Sequence, residues 1–535
     1  MLFDSLPTAG LSPATVAVVA IVFLVGIYRL LQVGKRDPRL PPGPPTIPIL
    51  GNLHQVPITG LHKQFRTWAE EYGPVYSLKF GPSTVIVLCS RESVHQLLDK
   101  KGAIYSDRPS LYIGDMLTKG DHMALTPANT VWREKRKIVT HNFSPKMLDE
   151  KHFRIQEAEA TVLMNDLLAK PDDFIKHVRR YTASVANCII YGQRAATYES
   201  FWGHVSCSSP SSWSEAMEPG ANPPVDIFPF IRYIPESMAF WKRRALDAGK
   251  TMDDAWREGR ERVERRRARG IKRDSIVDAC LDEYKEKGMP FSQHAFDNLM
   301  GEILEGAADT TASQLCTLIM AFTVYPEVQE KAREEIDRVC GSERAPGWSD
   351  FKDLPYINAI VKEGMRWRPT SATALPHYLR EDDWYNGMLI PKGSTVFLPV
   401  WAVHHSEGIY EDAERFNPDR YAGMTKLAND YAGSPDYEKR DHYGYGAGRR
   451  ICPGIHLAER NMWRIAAKLL WAFEFHPVID QATGKPVPID TEAYTPGIAQ
   501  FPLPFAVDIK CRSERHRLQI TKELDDALAL VQQFE

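Results

Sequence analysis

The sequence predicts a mainly α-helical fold with a minor β-sheet, in one large domain behind a single N-terminal transmembrane helix. Helical patterns of apolar residues dominate from about residue 91 to residue 340, and strand-like runs occur before and after that region. The N-terminal part of the chain is a long apolar run. With 535 residues, of which 43% are hydrophobic and 25% charged, the chain can bury a sizeable core.

Charge and cysteine usage exclude several functional classes. The net charge is −3, so no global positive field favours nucleic acid as a partner. The eight cysteines are scattered singly and form no CxxC pair. This distribution argues against a disulfide framework and a structural zinc module, and it fits a reducing compartment.

The N-terminal segment predicts a membrane anchor at residues 14–33. This run carries one charge, Arg29, near its end, and twenty helical residues span the roughly 30 Å of a bilayer's hydrocarbon core. Asp4 precedes the run and basic residues follow it, so the positive-inside rule places residues 1–13 in the lumen and the body in the cytoplasm. A cleaved signal peptide is the alternative, but the segment has no basic start and no clear cleavage site.

The anchor is followed by a basic and proline-rich hinge at residues 34–48, because consecutive prolines favour a stiff extended spacer. The main domain is expected over residues 49–512. It begins with a helix that ends at Gly73, followed by a hairpin around Gly81.

Later segments give weaker signals. The Ser- and Pro-rich stretch at residues 205–224 predicts a flexible loop. Strand-like segments return after Pro376 and near residues 487–510. The tail at residues 513–535 is a candidate docked amphipathic helix, since its apolar residues have helical spacing: Ile520, Leu524, Leu528 and Val531.

The stretch YGYGAGRRICPG, residues 443–454, places one cysteine among four glycines and two arginines, just before a helical run. A helix N-terminus stabilises a thiolate, and glycines let the backbone approach a flat ligand. Cys452 is therefore a nucleophile, a zinc ligand, or the single thiolate ligand of a large flat group. A nucleophile would need His442 or His456 as its base, and zinc needs about four ligands.

This stretch resembles the haem-binding loop of the cytochrome P450 haem-thiolate monooxygenases, Phe-Gly-x-Gly-x-Arg-x-Cys-x-Gly. Tyr445 stands where the family usually has Phe. The other fixed positions match: Gly446, Gly448, Arg450, Cys452 and Gly454. The resemblance implies that Cys452 is the axial ligand of haem iron and that Tyr445, Arg450 and Gly454 belong to the cofactor-binding loop.

Two further matches to the family concern the haem propionates. Trp132 and Arg136 are one helical turn apart, and the family uses this pair to hydrogen-bond a propionate. His377 stands where the family commonly has a second propionate contact. A surface helix alone would also explain the spacing of the first pair.

The stretch GAADTT at residues 306–311 lies within an apolar helical run. It resembles the family's oxygen-binding groove, although Ala307 replaces the second glycine of that motif. The resemblance implies that Asp309 and Thr310 are catalytic and relay protons. A capped or kinked helix is the alternative reading, because a buried acid and hydroxyl are costly without partners.

Glu363 and Arg366, three residues apart on one helix, match two members of a buried salt-bridged triad of the family, and Arg420 matches the third. This triad is structural, since a buried pair loses several kcal/mol of stability when one partner is removed.

The resemblance implies a fungal microsomal monooxygenase that contains haem b (iron protoporphyrin IX) and uses O2. Its electrons would come from an NADPH-cytochrome P450 reductase, with cytochrome b5 as a further donor, because the chain has no GxGxxG or flavin domain. Arg133, Lys135 and Lys137 are candidates for docking the reductase's acidic surface. The expected location is the endoplasmic reticulum membrane, with the catalytic domain in the cytoplasm.

The substrate is expected to be a hydrophobic molecule that partitions into lipid, such as a polyketide, terpenoid or alkaloid intermediate. The apolar segment 225–235 lies where the family's entrance helices meet lipid, and the pocket is lined by analogy by residues 110–121, Ala307, Ala374 and Ile498. Oxidation of fatty acids or xenobiotics is an alternative. A reductase-independent isomerase or dehydratase, or a non-catalytic haem-binding membrane protein, is disfavoured by the Asp309–Thr310 pair.

Overall fold

The computed structural model describes residues 13–217 and 222–535. Within them the chain is mainly helical with small β-sheets, which confirms the predicted fold class. The helices, in chain order, are α1 (Pro13–Gln32), α2 (Leu61–Tyr72), α3 (Arg91–Val94), α4 (Tyr112–Thr118), α5 (Thr130–Asn142), α6 (Pro145–Met147), α7 (Phe153–Ala169), α8 (Phe174–Tyr191), α9 (Phe201–Met217), α10 (Phe240–Ala268), α11 (Ile276–Lys287), α12 (Gln293–Val324), α13 (Pro326–Val339), α14 (Pro355–Trp367), α15 (Val400–His404), α16 (Ala428–Ala432), α17 (Ile455–Ala472) and α18 (Glu514–Gln532).

The strands form one four-stranded and two two-stranded sheets. They are β1 (Val75–Phe80), β2 (Ser83–Leu88), β3 (His377–Tyr378), β4 (Asp383–Tyr385), β5 (Met388–Ile390), β6 (Thr395–Phe397), β7 (Phe473–His476) and β8 (Asp508–Cys511). The largest sheet has the order β1-β2-β6-β3, in which β1 and β2 form the predicted hairpin and β2 pairs in parallel with β6. β4 pairs with β5, and β7 with β8.

The strand prediction near residues 487–510 is wrong for most of its length. The described chain has a strand there only from Asp508, together with an isolated bridge between Tyr494 and Pro502. Several prolines interrupt the segment, and a proline cannot donate a hydrogen bond to a sheet.

Helix α12 lies at the centre of the fold. Most of its 32 residues are buried, and it packs against α8, α9, α10 and α17. A largely buried helix carries apolar residues around much of its circumference, and in α12 these alternate with a few buried polar side chains. Because α17 begins directly after the cysteine loop, its contact with α12 holds residues 306–311 and the loop within one core.

The Ser- and Pro-rich stretch at residues 205–224 is helical over its first part, so the prediction of a flexible loop is wrong there. Helix α9 continues to Met217, and residues 218–221 lie outside the described chain. Trp202 and Ala216 are buried where α9 packs on its neighbours. Serine costs a helix about 0.5 kcal/mol per residue, whereas burial of one large apolar side chain contributes about 1.5–3 kcal/mol.

The C-terminal tail forms helix α18, which packs along α7. Ile520 and Val531 are buried in this contact. The backbone N–H of Arg194 donates to the Phe534 carbonyl oxygen at 2.8 Å, and the Arg194 guanidinium pairs with Glu535 at 2.8 Å. These contacts attach the end of the chain to the folded body.

Helix α1 is apolar and none of its residues is buried. Its mean hydropathy reaches 2.4 over an 18-residue window, and among the described residues it is the one helix long and apolar enough to cross a membrane.

The proline-rich segment after α1 lies against the first sheet. The Ser77 N–H and hydroxyl donate to the carbonyl oxygens of Pro42 and Pro41 at 2.7 and 2.6 Å. The Arg36 guanidinium donates to the carbonyl oxygens of Gly43 at 2.6 Å and Ser77 at 3.0 Å. The segment is therefore bonded to β1 rather than extended through solvent.

Candidate active site around Cys452

The loop before α17 has a backbone that favours glycine at two positions. Gly446 and Gly448 have φ angles of 77° and 62°, in the left-handed region that glycine adopts without strain. A Cβ at position 448 would also collide with the Leu98 carbonyl oxygen. The Cys452 N–H donates to the Tyr445 carbonyl oxygen at 2.9 Å, which closes the loop.

The Cys452 side chain lies two residues before Gly454, the N-cap of α17. Burial raises the pKa of the Cys452 thiol, whereas the Gly454 N–H and the charge of Arg136 lower it, and burial prevails. The Gly454 N–H therefore stabilises the thiolate, as expected at the end of a helix, but not enough to lower the pKa of Cys452 below its usual value. A bound cation would reverse this balance, because a thiol that coordinates a metal ion is deprotonated.

Neither nearby histidine is placed as a base for the thiol. His442 Nδ1 accepts the Gly444 N–H at 3.2 Å, and burial lowers the pKa of His442 to about 4. His456 Nδ1 is buried without a hydrogen-bond partner. Among the described residues, neither ring bonds the Cys452 thiol, and no group of three His, Cys, Asp or Glu side chains could hold a metal ion. The arrangement favours a single axial thiolate.

Arginine side chains converge beside this loop. The Arg450 guanidinium donates to the Ser106 carbonyl oxygen at 2.7 Å and lies 4.3 Å from the centre of the Trp132 ring. Arg136, also predicted from the sequence, lies 6.0 Å from the same ring. In the described chain neither guanidinium forms an ion pair with a carboxylate, and both donate to backbone carbonyl oxygens instead.

Arg108 is a third arginine of this group, and the sequence did not predict it. It donates to the carbonyl oxygens of Leu375 and Pro376 at 2.8 and 2.7 Å, and its pKa is lowered to about 9 by burial and by the charges of Arg450 and Arg136. Buried cations that repel one another in this way form a site for an anion.

His377 lies in the same region. Its Nδ1–H donates to the Tyr105 carbonyl oxygen at 2.8 Å. Burial, reinforced by the charge of Arg108, lowers the pKa of His377 to about 3, so the ring is neutral at pH 7. An anion bound beside it would favour the protonated ring, which could then donate from Nε2.

Helix α12 has open space on one side at Gly306. A Cβ built there would meet nothing within 4 Å, although most of the helix is buried. Thr310 Oγ1 donates to the Gly306 carbonyl oxygen at 2.7 Å, a bond of the kind that bends helices slightly. The structure therefore places a hydroxyl beside a groove of small residues.

The neighbouring acid, Asp309, is largely buried. Its side chain is 18% exposed and lies 3.8 Å from the guanidinium of Arg179, which stacks on the Phe501 ring at 4.0 Å. Burial raises the pKa of Asp309, Arg179 lowers it, and the charge of Glu305 raises it, with a net increase. The carboxyl group therefore keeps its proton to a higher pH than a carboxyl group in water.

Comparison with known proteins decides the family. The family model described as cytochrome P450 matches residues 41–505. The chain belongs to the cytochrome P450 family. It is 42% identical to the cytochrome P450 monooxygenase macC of Penicillium terrestre over 95% of both chains, and 41% identical to the cytochrome P450 monooxygenase patI of Aspergillus clavatus over 100% of both.

The fold of this cytochrome P450 matches a solved member of the family. A zebrafish cytochrome P450 determined with abiraterone superposes with a TM-score of 0.67 at 21% identity, covering 85% of this chain and 100% of that chain. With the family and the fungal relatives established, the chain is an oxidoreductase of the monooxygenase class.

Membership of this family implies a haem held by a cysteine thiolate, and the residues present fit that group. A Cβ at Gly446 would meet nothing within 4 Å, so the loop has open space at this position. Buried Arg108 and Arg450 and partly buried Arg136 form no ion pair with a carboxylate in the described chain, and they suit the acidic propionates.

The cytochrome P450 also contains the predicted ion-pair triad, of which Glu363 and Arg366 are buried and Arg420 is partly buried. Glu363 and Arg366 are fully buried and pair at 2.6 Å, and Arg420 Nε lies 3.4 Å from Glu363. Glu363 further accepts the Asn417 N–H at 2.8 Å, and Arg366 donates to the His404 carbonyl oxygen at 2.9 Å. The triad joins α14 to the segment that precedes the cysteine loop.

The three candidate pocket residues lie in different surroundings. Ile498 lines a cavity of about 420 Å³ together with Thr373 and Trp401. Ala307 is half-buried on α12, and Ala374 packs against the apolar residues around the sheet. Neither of these two alanines lines that cavity.

Lys135 is buried, so its expected role in docking a reductase is wrong. It is 1% exposed, its ammonium group donates to the Asp121 carbonyl oxygen, and it lies 5.9 Å from the Phe291 ring. Arg133 and Lys137, on the same helix, are exposed.

Proposed function

We propose that this cytochrome P450 is a membrane-anchored monooxygenase that inserts one oxygen atom of O2 into a hydrophobic small molecule. The substrate class is a fungal secondary-metabolite intermediate, a polyketide, terpenoid or alkaloid. The observation that carries the proposal is the Cys452 thiol, which lies in a glycine-rich loop, is bonded by neither nearby histidine and interacts with the charge of Arg136.

The cofactor would be haem b, held by the Cys452 thiolate. When bound, it supplies oxygen activation, because a thiolate ligand favours cleavage of the O–O bond. Trp132, Arg136, His377 and Arg450 hold the propionates, joined by Arg108. Tyr445 and Gly454 shape the loop around the thiol.

Asp309 and Thr310 deliver protons. The Asp309 carboxyl can hold a proton because its pKa is raised by burial, and the Thr310 hydroxyl lies beside the open groove at Gly306. An acid and a hydroxyl in this order can pass a proton from the protein to the groove.

The proposed location is the endoplasmic reticulum membrane, with α1 as a single span and the body in the cytoplasm. Basic residues after α1 support this orientation. The segment 225–240 supplies an apolar surface for lipid, since Phe230 is 70%, Tyr233 87% and Met238 77% exposed.

The electrons come from an NADPH-cytochrome P450 reductase, with cytochrome b5 as a second donor. Arg133 and Lys137 are exposed on α5, the helix that carries Trp132. Positive charges at such a surface attract an acidic partner.

The test uses the full-length, haem-loaded protein with dithionite and carbon monoxide. A strongly red-shifted Soret band is expected, and Cys452→Ser should lose it. Cys511→Ser is the matched control, because this half-buried cysteine lies on β8 and should leave the band intact. An unshifted band in loaded wild-type protein would overturn the proposal.

A second measurement tests the reaction class. Extracts from a host that produces the protein with a reductase, analysed by mass spectrometry, should contain a product heavier by one oxygen atom. Product that forms without NADPH and reductase would contradict the monooxygenase assignment.

A further inference from the structure

A polar cluster lies on α12 immediately before the groove. Its centre is His122, whose Nδ1 lies 3.8 Å from Glu302 and whose Nε2 lies 3.7 Å from Glu305. The His122 ring stacks on Trp213 of α9 at 5.8 Å. The cluster therefore joins the loop after α4, helix α9 and helix α12.

Several polar atoms of this cluster are buried and have no hydrogen-bond partner among the described residues. They are Glu302 Oε1, Glu305 Oε1 and Trp213 Nε1. The Glu302 side chain is 5% exposed, and only its other oxygen is bonded, to the Met123 N–H at 2.8 Å. A buried polar atom without a partner costs about 1–3 kcal/mol, and more when it is charged. An occupant that bonds these atoms would remove that cost.

The cluster adjoins the groove of the proposed active site. Gly306 lies one helical turn after Glu302, so these two residues share one side of α12, and Glu305 directly precedes Gly306. Gly306 is also the point where that side of the helix is open. A molecule along this side of the helix therefore has Glu302 at one end and Thr310, one turn beyond Gly306, at the other.

The charges of the cluster select a neutral occupant. Burial lowers the pKa of His122, but the charges of Glu302 and Glu305 raise it by more, so the imidazolium form is favoured. The buried ammonium of Lys135 supplies a second positive charge near Glu302, although burial outweighs both charges and raises the pKa of Glu302. Two acidic side chains thus face two cations, and a further ammonium group would not be favoured there.

The unbonded atoms include both acceptors and a donor. An ionised carboxyl oxygen accepts, whereas the Trp213 N–H can only donate. A hydroxyl group is the simplest neutral group that donates to one and accepts from the other.

We propose that Glu302, Glu305, His122 and Trp213 form a subsite for a hydroxyl group of the substrate. The hydrophobic substrate then already carries a hydroxyl before this enzyme oxidises it, and the subsite fixes which part of the molecule lies next to Thr310. The inference rests on the proposed monooxygenase function and narrows its substrate class.

The test measures the dissociation constants of two probes of the same shape, cyclohexylmethanol and ethylcyclohexane. They are titrated into the full-length, haem-loaded protein, and binding is followed by the shift of the Soret band. Wild-type protein is expected to bind the alcohol at least about ten-fold more tightly, since a hydrogen bond to a charged group contributes about 1.5–3 kcal/mol. Equal constants, or no shift with the alcohol, would overturn the proposal.

Substitutions locate the effect. Glu302→Gln should reduce the preference for the alcohol about ten-fold and leave the hydrocarbon's constant unchanged, with Glu305→Gln as a second variant. Glu286→Gln, an exposed change on α11, is the matched control. A fall in thermal midpoint in Glu302→Gln with equal changes for both probes would show a purely structural ion pair instead.

The red-shifted band of each preparation with carbon monoxide distinguishes a failure of the subsite proposal from a failure of the proposed monooxygenase function. A variant with a normal red-shifted band and no alcohol preference contradicts the subsite alone. A wild-type preparation without the band contradicts the monooxygenase proposal itself.

Discussion

The Asp309 carboxylate lies 3.8 Å from the Arg179 guanidinium, a contact that joins the middle of α12 to α8. Burial raises the pKa of Asp309, and Arg179 opposes this increase. Arg179 therefore helps to set the pH range in which the acid holds its proton. The guanidinium also stacks on the Phe501 ring at 4.0 Å, which gives it a second contact.

Arg179→Gln tests this relationship. Without the cation the pKa of Asp309 rises further, so the carboxyl group stays protonated to a higher pH. The alkaline limb of the pH profile of product formed per NADPH should move to higher pH. Arg179→Lys is the matched control, since it keeps the charge. An unchanged limb in Arg179→Gln would show that Asp309 does not limit proton delivery.

Thr310→Ala removes the hydroxyl beside the groove. NADPH consumption should continue while product per NADPH falls several-fold, because a positioned proton-transfer group is lost beside the groove. Thr310→Ser keeps the hydroxyl and should retain most of the coupling. The measurement compares NADPH consumed with product formed. Equal coupling in Thr310→Ala and wild type would remove the proton-relay role and leave the haem assignment unaffected.

Lys137→Glu reverses an exposed charge on α5. Reduction of the haem by the reductase should slow several-fold, and more strongly at low salt, because exposed charges are screened by ions. The substrate dissociation constant should not change. Lys522→Glu, an exposed change on α18, is the control. Stopped-flow reduction at two ionic strengths gives the answer, and equal rates for Lys137→Glu and wild type would exclude this docking surface.

Glu363→Gln leaves Arg366 buried without its anion. The free energy of unfolding should fall by about 3–5 kcal/mol, the usual cost of breaking a buried ion pair. Glu514→Gln, whose side chain is 71% exposed, should change it by less than about 0.5 kcal/mol. Urea unfolding of the three proteins measures the difference. A small effect at position 363 would mean that the triad is dispensable for stability.

The features that the sequence predicted well are local in the chain. The glycines around Cys452, the Glu363–Arg366 pair and the hairpin after Gly73 are each specified within about a dozen residues. The spacing of residue types in such segments determines the backbone conformation or the helix face directly.

The features that the sequence did not reveal depend on distant parts of the chain. Arg108 donates to the carbonyl oxygen of Leu375, and Arg179 lies beside Asp309. The residues next to each arginine in the sequence do not indicate these contacts. Lys135 stands among exposed basic residues and yet is buried by the loop that contains Asp121.

The Ser-rich stretch shows the same limit for secondary structure. Its composition favours a loop, but helices α8, α10 and α12 cover one side of α9 and bury Trp202. Packing outweighs local propensity there, and packing partners cannot be read from the stretch itself.

The bonds from Arg36 and Ser77 to the proline-rich segment have a consequence for how this enzyme obtains its substrate. With α1 inserted in a bilayer, they would act as a short tether of fixed length, so the catalytic body could neither swing freely nor drift away from the lipid headgroups. The enzyme would then draw on molecules dissolved in the membrane and respond to their concentration there rather than in the surrounding water.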